Sequence, residues 1–173
     1  MELSTWSNYS KSCFCNFSGN TIVLKPSQNT PLVSYYVVDG FEKAGLSKGV
    51  LNLVTGAGSE VGNAIALSDN IDVVSFTGST KGGREVSQLA QETIKRTTLE
   101  LGGKSPAIFL DKENLEIGVE KILGIVIENA GQTCAAWSRA IVLESIREEF
   151  EEEVKRQFPN FIVGDPNLSL IHI

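Results

Sequence analysis

The chain of 173 residues has a single histidine, His172, its penultimate residue. That scarcity removes most arrangements in which an imidazole serves a serine or cysteine nucleophile, and it leaves a metal site short of ligands. Cysteine is scarce too. Cys13, Cys15 and Cys134 are too few and too unevenly spaced for a disulfide framework, and Cys13-Phe14-Cys15 has no partner pair at zinc spacing. A reducing cytoplasm is the expected compartment, where a free thiol can do chemistry. Basic residues number 15 against 21 acidic ones, a net charge of −6, so no basic stripe for nucleic acid and no polybasic membrane surface is expected. No apolar run approaches the ~20 residues that span a bilayer. Met1 to Ser18 is polar and lacks the charged-then-apolar order of a secretory signal.

Glycine, by contrast, is plentiful at 16 residues, clustered where apolar runs end. Ile22-Val23-Leu24 is a short β-branched run closed by Lys25-Pro26, and proline cannot continue a ladder. From Thr30 to Ala44 the apolar positions Leu32, Val33, Tyr36, Val37, Phe41 and Ala44 recur at three and four, with Gly45 as the stop. Val50 to Val54 reads as a strand and Ser59 to Leu67 as a helix. Ile71 to Phe76 is the next strand, Lys81 to Gln91 the next helix, and Arg96 to Leu99 a further strand. Strands alternating with helices across short connections predict an α/β fold with a mostly parallel sheet flanked by helices.

Beyond Gly103 the pattern restarts. Pro106 to Leu110 is an apolar strand, Asn114 is placed to cap a helix running to about Asn129, Ile141-Val142-Leu143 is a strand, and Ser145 opens an acidic helix. Gly102-Gly103 is the best internal boundary. The expected organisation is a divergent segment over 1–18, a partial Rossmann-like cofactor domain over 19–102, the start of an α/β catalytic domain over 103–166, and a divergent tail over 167–173. The ends lack closing elements, and the strands before Gly102 make a small sheet for this architecture. The chain reads as a piece of something larger, its ends resembling misjoined or truncated segments.

Two strand-to-helix turns could carry a ligand. Gly56, Gly58 and Gly62 follow the strand ending at Val54, but their spacing is GxGxxxG and not the dinucleotide fingerprint. They form either a tight turn or a phosphate contact at a helix N-terminus. Phe76-Thr77-Gly78-Ser79-Thr80 is a second such turn, either an N-cap or a seat for a pyrophosphate on N–H groups and the Ser79 hydroxyl. Successive turns at strand ends favour the ligand, since open α/β sheets bind beyond the carboxyl ends of their strands. Cys134, in Gly131-Gln132-Thr133-Cys134, lies outside any apolar run, so an exposed, reactive thiol is expected. Glu100 lies between Leu99 and Leu101, which predicts a partly desolvated carboxylate suited to a general base. With histidine nearly absent, a cysteine nucleophile served by a glutamate base is the economical pair.

Together these motifs resemble the NAD(P)-dependent aldehyde dehydrogenase superfamily. The matching residues are Gly19-Asn20-Thr21 with Leu24-Lys25-Pro26-Ser27, Ala44-Gly45-Leu46 with Gly49-Val50-Leu51-Asn52, Ser75 to Thr80, Leu99 to Pro106, and Gly131 to Cys134 with Ser138-Arg139. The match runs from about Gly19 to Pro166, a central part of a family member. The resemblance implies that Cys134 adds to an aldehyde carbonyl and that a thioester remains on it after oxidation by NAD or NADP. Glu100 would then activate water for hydrolysis. It places Lys25, Ser27, Gln28, Gly58, Gly78, Ser79, Leu101 and Gly102 on the cofactor, with Lys25 at the adenosine ribose and Ser79 at the pyrophosphate. No metal is implied.

Three departures qualify this. Gln28 stands where the family usually has a ribose-binding glutamate, which leaves the choice between NAD and NADP open. Asn8 lies closer to Gly19 than the family's oxyanion asparagine and among different neighbours, so that role is not carried over; one such donor is worth ~3 kcal/mol. The region after Pro166, which in the family completes the catalytic domain and the oligomer, does not match. Full-length members form homodimers or homotetramers, and this fragment is expected not to. The expected activity is aldehyde oxidation impaired by truncation. The alternative is a non-catalytic fragment that at most binds nucleotide or associates with a full-length relative.

Overall fold

Regular alternation of strand and helix is what the sequence specifies, and the computed structural model, which describes residues 19–162 together with Gly164, has that order. The expectations placed on residues 1–18 and 167–173, with Asn8, Cys13, Cys15 and His172, lie outside the described residues. The chain divides into two compact units at the Gly102-Gly103 pair.

In the first unit, strand β1 (Ile22–Leu24) leads to helix α1 (Pro31–Lys43) and strand β2 (Leu51–Leu53). Pro31 opens α1, where a missing N–H costs nothing. Its end is a Schellman closure. The Leu46 N–H donates to the Phe41 carbonyl and the Gly45 N–H to the Glu42 carbonyl, both at 3.0 Å, and Gly45 takes φ +94°, which a glycine adopts without penalty. A wide turn over Gly58–Gly62 then runs into the short helix α2 (Asn63–Leu67). Strand β3 (Val73–Gly78), helix α3 (Thr80–Gln91) and strand β4 (Arg96–Leu101) follow. The pairs β1–β2 and β3–β4 are both parallel, as the helical crossovers require. The fold is α/β with parallel strands flanked by helices. Among the described residues the strands pair two by two, without joining into one sheet.

The second unit contains strand β5 (Pro106–Phe109), helix α4 (Leu115–Gly131), strand β6 (Arg139–Val142) and helix α5 (Arg147–Gln157), with β5 and β6 parallel. Its core gathers Phe109, Leu115, Val119, Ile122, Leu123 and Ile146, with Val119 fully enclosed. The Phe109 and Phe150 rings meet at 4.8 Å. Asn114 occupies the position before α4, but its side chain makes no capping bond; an Asp111 oxygen instead accepts from the Glu113 N–H at 3.1 Å. Helical conformation ends at Glu128 (ψ 138°), within a residue of the end expected near Asn129. One face of the β5–β6 pair lies on the helices. On the other, register partners Ile108 and Ile141 are 62% and 48% exposed, and Leu110 and Leu143 are open as well.

Helix α5 is tied to α4 and to the loop before it through Glu149, Arg156 and Gln157. Lys112 pairs with Glu149, and Arg156 pairs with Glu116 and with Glu153, to which Gln157 also donates. The hydrogen bond from Lys112 holds Glu149 below the ordinary glutamate range, and those from Arg156 and Gln157 do the same for Glu153. A depressed carboxylate pKa contributes stability above the ordinary value of 4.5, lost as pH falls through the lower folded value. Acid titration followed by circular dichroism should therefore show Arg156→Ala unfolding at a higher pH than the parent. Packing gives a second expectation. Leu123→Ala should cost about 2–5 kcal/mol in urea unfolding. Ile108→Thr with Ile141→Thr should change stability by less than about 1 kcal/mol while reducing binding of a hydrophobic dye.

Candidate active site

Parallel register decides which side chains meet at the carboxyl ends of the strands. In the β3–β4 pair Thr77 lies opposite Glu100 and Gly78 opposite Leu101. The Phe76-to-Thr80 turn and the candidate base therefore emerge side by side. Ser79 is the N-cap of α3: its Oγ accepts from the Gly82 N–H at 3.1 Å, and its carbonyl accepts from the Gly83 N–H at 2.8 Å. An acceptor bond at Oγ leaves the hydroxyl proton available to donate, so capping and anion contact are compatible at Ser79. Helix N-termini concentrate unpaired N–H groups and the positive end of the helix dipole there.

Glu100 itself is exposed. The desolvation expected from its leucine neighbours does not occur, because successive strand residues point to opposite faces and Leu99 and Leu101 turn away from it. Among the described residues, no atom beyond its chain neighbours lies within 4 Å of where a Cβ on Gly102 would be, and its φ is not positive. Neither packing nor backbone conformation within the protein demands glycine at this position. Gly102 is exposed, so the surface beside the candidate base is open there.

The β1–β2 pair builds the other edge. Lys25 leaves β1 and reaches across to the glycine loop after β2, donating from Nζ to the Gly56 carbonyl at 3.3 Å and to the Pro26 carbonyl at 2.7 Å. An ammonium has three protons, so one donor remains. Burial pushes its pKa below the ordinary lysine value. Gly56 has φ +149°, and a Cβ there would lie 2.5 Å from Val61 Cγ2, so this glycine is required by the protein itself. The N–H groups of Glu60, Val61 and Gly62 all turn onto the Ala57 carbonyl, which makes the loop wider than the helix expected from Ser59 onward. Gly58 at its start is exposed, with open space around it. Ser27 and Gln28 lie in the exposed turn after β1, where Ser27 Oγ accepts from the Asn29 N–H at 3.3 Å.

In the second unit Cys134 is a free, exposed cysteine in a turn closed by the Ala136 N–H on the Thr133 carbonyl at 3.0 Å. Three consecutive residues before it, Asn129, Ala130 and Gly131, have φ of 52°, 57° and 73°. A left-handed alanine costs about 1–2 kcal/mol, and this reversal is what takes the thiol off the helix and onto the turn. The Cys134 carbonyl lies 4.0 Å from where a Cβ on Gly103 would be, and Arg139 holds the segment after Gly103, its Nε donating to the Lys104 carbonyl at 2.7 Å. Arg139 stands in a matching motif, but nothing in its spacing announces that bond. A groove of about 490 Å³ between β5 and α4 is lined by Phe109, Asn114, Gly118, Lys121 and Trp137 among others, and Cys134 does not line it. Among the described residues no cluster of metal-ligating side chains occurs, and no helix is long and apolar enough to cross a membrane.

Comparison with known proteins decides the family. The sequence model of the aldehyde dehydrogenase family matches residues 8–171. The chain belongs to the aldehyde dehydrogenase family. It is 40% identical over 149 residues to a putative aldehyde dehydrogenase of Staphylococcus haemolyticus, covering 86% of this chain and 31% of that protein. Betaine aldehyde dehydrogenase of Bacillus subtilis is 40% identical over 148 residues, with 86% and 30% covered. Among solved structures, a cysteine-to-alanine variant of aldehyde dehydrogenase C from Pseudomonas syringae, in complex with NAD+ and octanal, superposes with a TM-score of 0.80 at 41% identity, over 86% of this chain and 30% of that one. The NAD-dependent enzyme of Sinorhizobium meliloti gives 0.80 at 39%, over 84% and 29%. The chain thus spans about three-tenths of the length of these family members.

The contrast between two glycines is directly measurable. Gly56→Ala should destabilise the protein by about 1–3 kcal/mol through its clash and its φ. Gly102→Ala should leave the urea midpoint within about 0.5 kcal/mol of the parent yet weaken NAD binding in a fluorescence titration.

Proposed function

We propose that this chain carries the cofactor turns, the nucleophile and the base of an NAD(P)-dependent oxidation of an aldehyde to a carboxylic acid. The observation that supports it most is the β3–β4 register, which sets Glu100 beside Thr77 and Leu101 beside Gly78, next to the open volume at Gly102. The residues fit a dinucleotide: Ser79 and the first N–H groups of α3 would hold the pyrophosphate, and the free donor of Lys25 an adenosine ribose hydroxyl. Ser27, Gln28, Gly58, Gly78 and Leu101 would complete the contacts. When bound, the nicotinamide supplies the hydride acceptor.

Cys134 Sγ adds to the aldehyde carbonyl and forms a thiohemiacetal. Once that carbon has given up its hydride and its hydroxyl proton has passed to solvent, a thioester remains on Sγ. Glu100 takes a proton from water, the resulting hydroxide attacks the thioester carbon, the C–S bond breaks to release the carboxylic acid, and the proton held by Glu100 returns to Sγ to restore the thiol. A nucleophilic free thiol suits a reducing cytoplasm.

The second reading is nucleotide binding without turnover, favoured by the uncovered apolar face around Ile108 and Ile141. One experiment separates the two. Incubate the chain with NAD and propanal, quench in acid, and weigh the peptide containing Cys134. Oxidation leaves a propanoyl mass on Cys134, accumulating further in Glu100→Gln, where deacylation slows by about 10²–10⁴-fold. Cys134→Ala should lose turnover by roughly 10⁴-fold or more. NAD binding with no adduct would leave only the second reading.

A further inference from the structure

The cofactor reading leaves unexplained what fixes the height of the Gly78–Gly82 turn above the strands, and the packing beneath it supplies a candidate. Phe76 and Gly78 stand two residues apart on β3 and share a face, and Leu101 is the register partner of Gly78. A Cβ on Gly78 would fall 2.7 Å from the Phe76 ring Cζ, and one on Gly82 would fall 3.0 Å from the same atom. A Cβ on the buried Gly83 would fall 2.6 Å from Leu101 Cδ2. The first turn of α3 therefore rests on one aromatic ring and one leucine, with glycine at each point of contact. The Gly82 N–H is also the donor to Ser79 Oγ, so the ring under Gly82 sets where the Ser79 hydroxyl and the neighbouring N–H groups point.

Resting on the reading that this turn holds a pyrophosphate, we propose that Phe76 is a positioning residue for the cofactor, acting as a spacer matched to Gly78 and Gly82. It need not touch the nucleotide. Its ring fills the volume that side chains at those glycines would occupy, and so holds the turn's donors at the height an anion requires. Donor geometry of this kind is what gives an aligned hydrogen bond to a charged group its strength.

The test compares ADP, which has the pyrophosphate, with adenosine, which lacks it. Dissociation constants are measured by NMR titration of the full chain as wild type, Phe76→Leu, Gly82→Ala and the double variant. Each single variant should weaken ADP binding about tenfold and leave adenosine binding unchanged. Glycine to alanine inside a helix ordinarily stabilises it, so Gly82→Ala provides a folded probe even should Phe76→Leu fail to fold. In the double variant the new methyl takes up space vacated by the ring, and ADP affinity should return to within about threefold of wild type. Unchanged ADP affinity in Gly82→Ala, equal losses for ADP and adenosine, or single losses that simply add in the double variant would overturn the proposal. Failure of the wild-type chain to bind ADP would instead overturn the nucleotide reading on which it stands.

Discussion

Parallel pairing is the constraint from which the candidate site follows. Two parallel strands cannot be joined by a hairpin, so each pair requires a crossover, and the crossover helix begins where the first strand of the pair ends. In the first unit that rule puts the start of α3 immediately after β3, and it brings β4 back alongside with its own end at the same level. The Ser79 cap, the glycine pair at Gly78 and Gly82, and the carboxylate of Glu100 are neighbours because of register, although more than 20 residues of chain separate Ser79 from Glu100. The same rule at β1–β2 sets Lys25 against the loop that begins at Gly56.

The glycines divide into kinds that composition alone does not distinguish. Gly45 and Gly56 are demanded by the backbone, Gly83 by the leucine beneath it, while at Gly102 nothing in the protein demands one. The alanine at 130 makes the complementary case. It takes a left-handed conformation that its Cβ disfavours, just where the chain must leave α4 and present Cys134. Strain there is offset by the packing of the rest of α4 around Val119, Ile122 and Leu123.

Six strands and the helices between them were legible in the sequence, because short β-branched runs closed by glycine or proline and apolar residues at three and four are local signals. The family was legible as well, through motifs whose order spans both units. What was not legible depended on tertiary direction. Glu100 reads as shielded by Leu99 and Leu101 along the chain, yet the alternation of a strand turns both leucines to the opposite face. Asn114 is the right residue in the right position, but the cap is not made. The contact of Phe76 with Gly82 crosses from strand to helix, so no spacing announces it.

The two candidate chemistries differ in how much of the fold they need. Holding a pyrophosphate would call on β3, α3 and β4, which are consecutive in sequence and packed on one another through Phe76, Leu101 and their matched glycines, with Lys25 added from the β1–β2 pair of the same unit. Such local contacts close small loops and lose little when distant surface is left uncovered. Turnover calls on Cys134 as well, whose turn stands on a unit with the apolar face of Ile108, Leu110, Ile141 and Leu143 open to solvent. A parallel pair is ordinarily covered on both sides. The thiol's presentation therefore depends on a helix that packs against only one face of its strands. Of the two, turnover would be the more sensitive to what covers the other face.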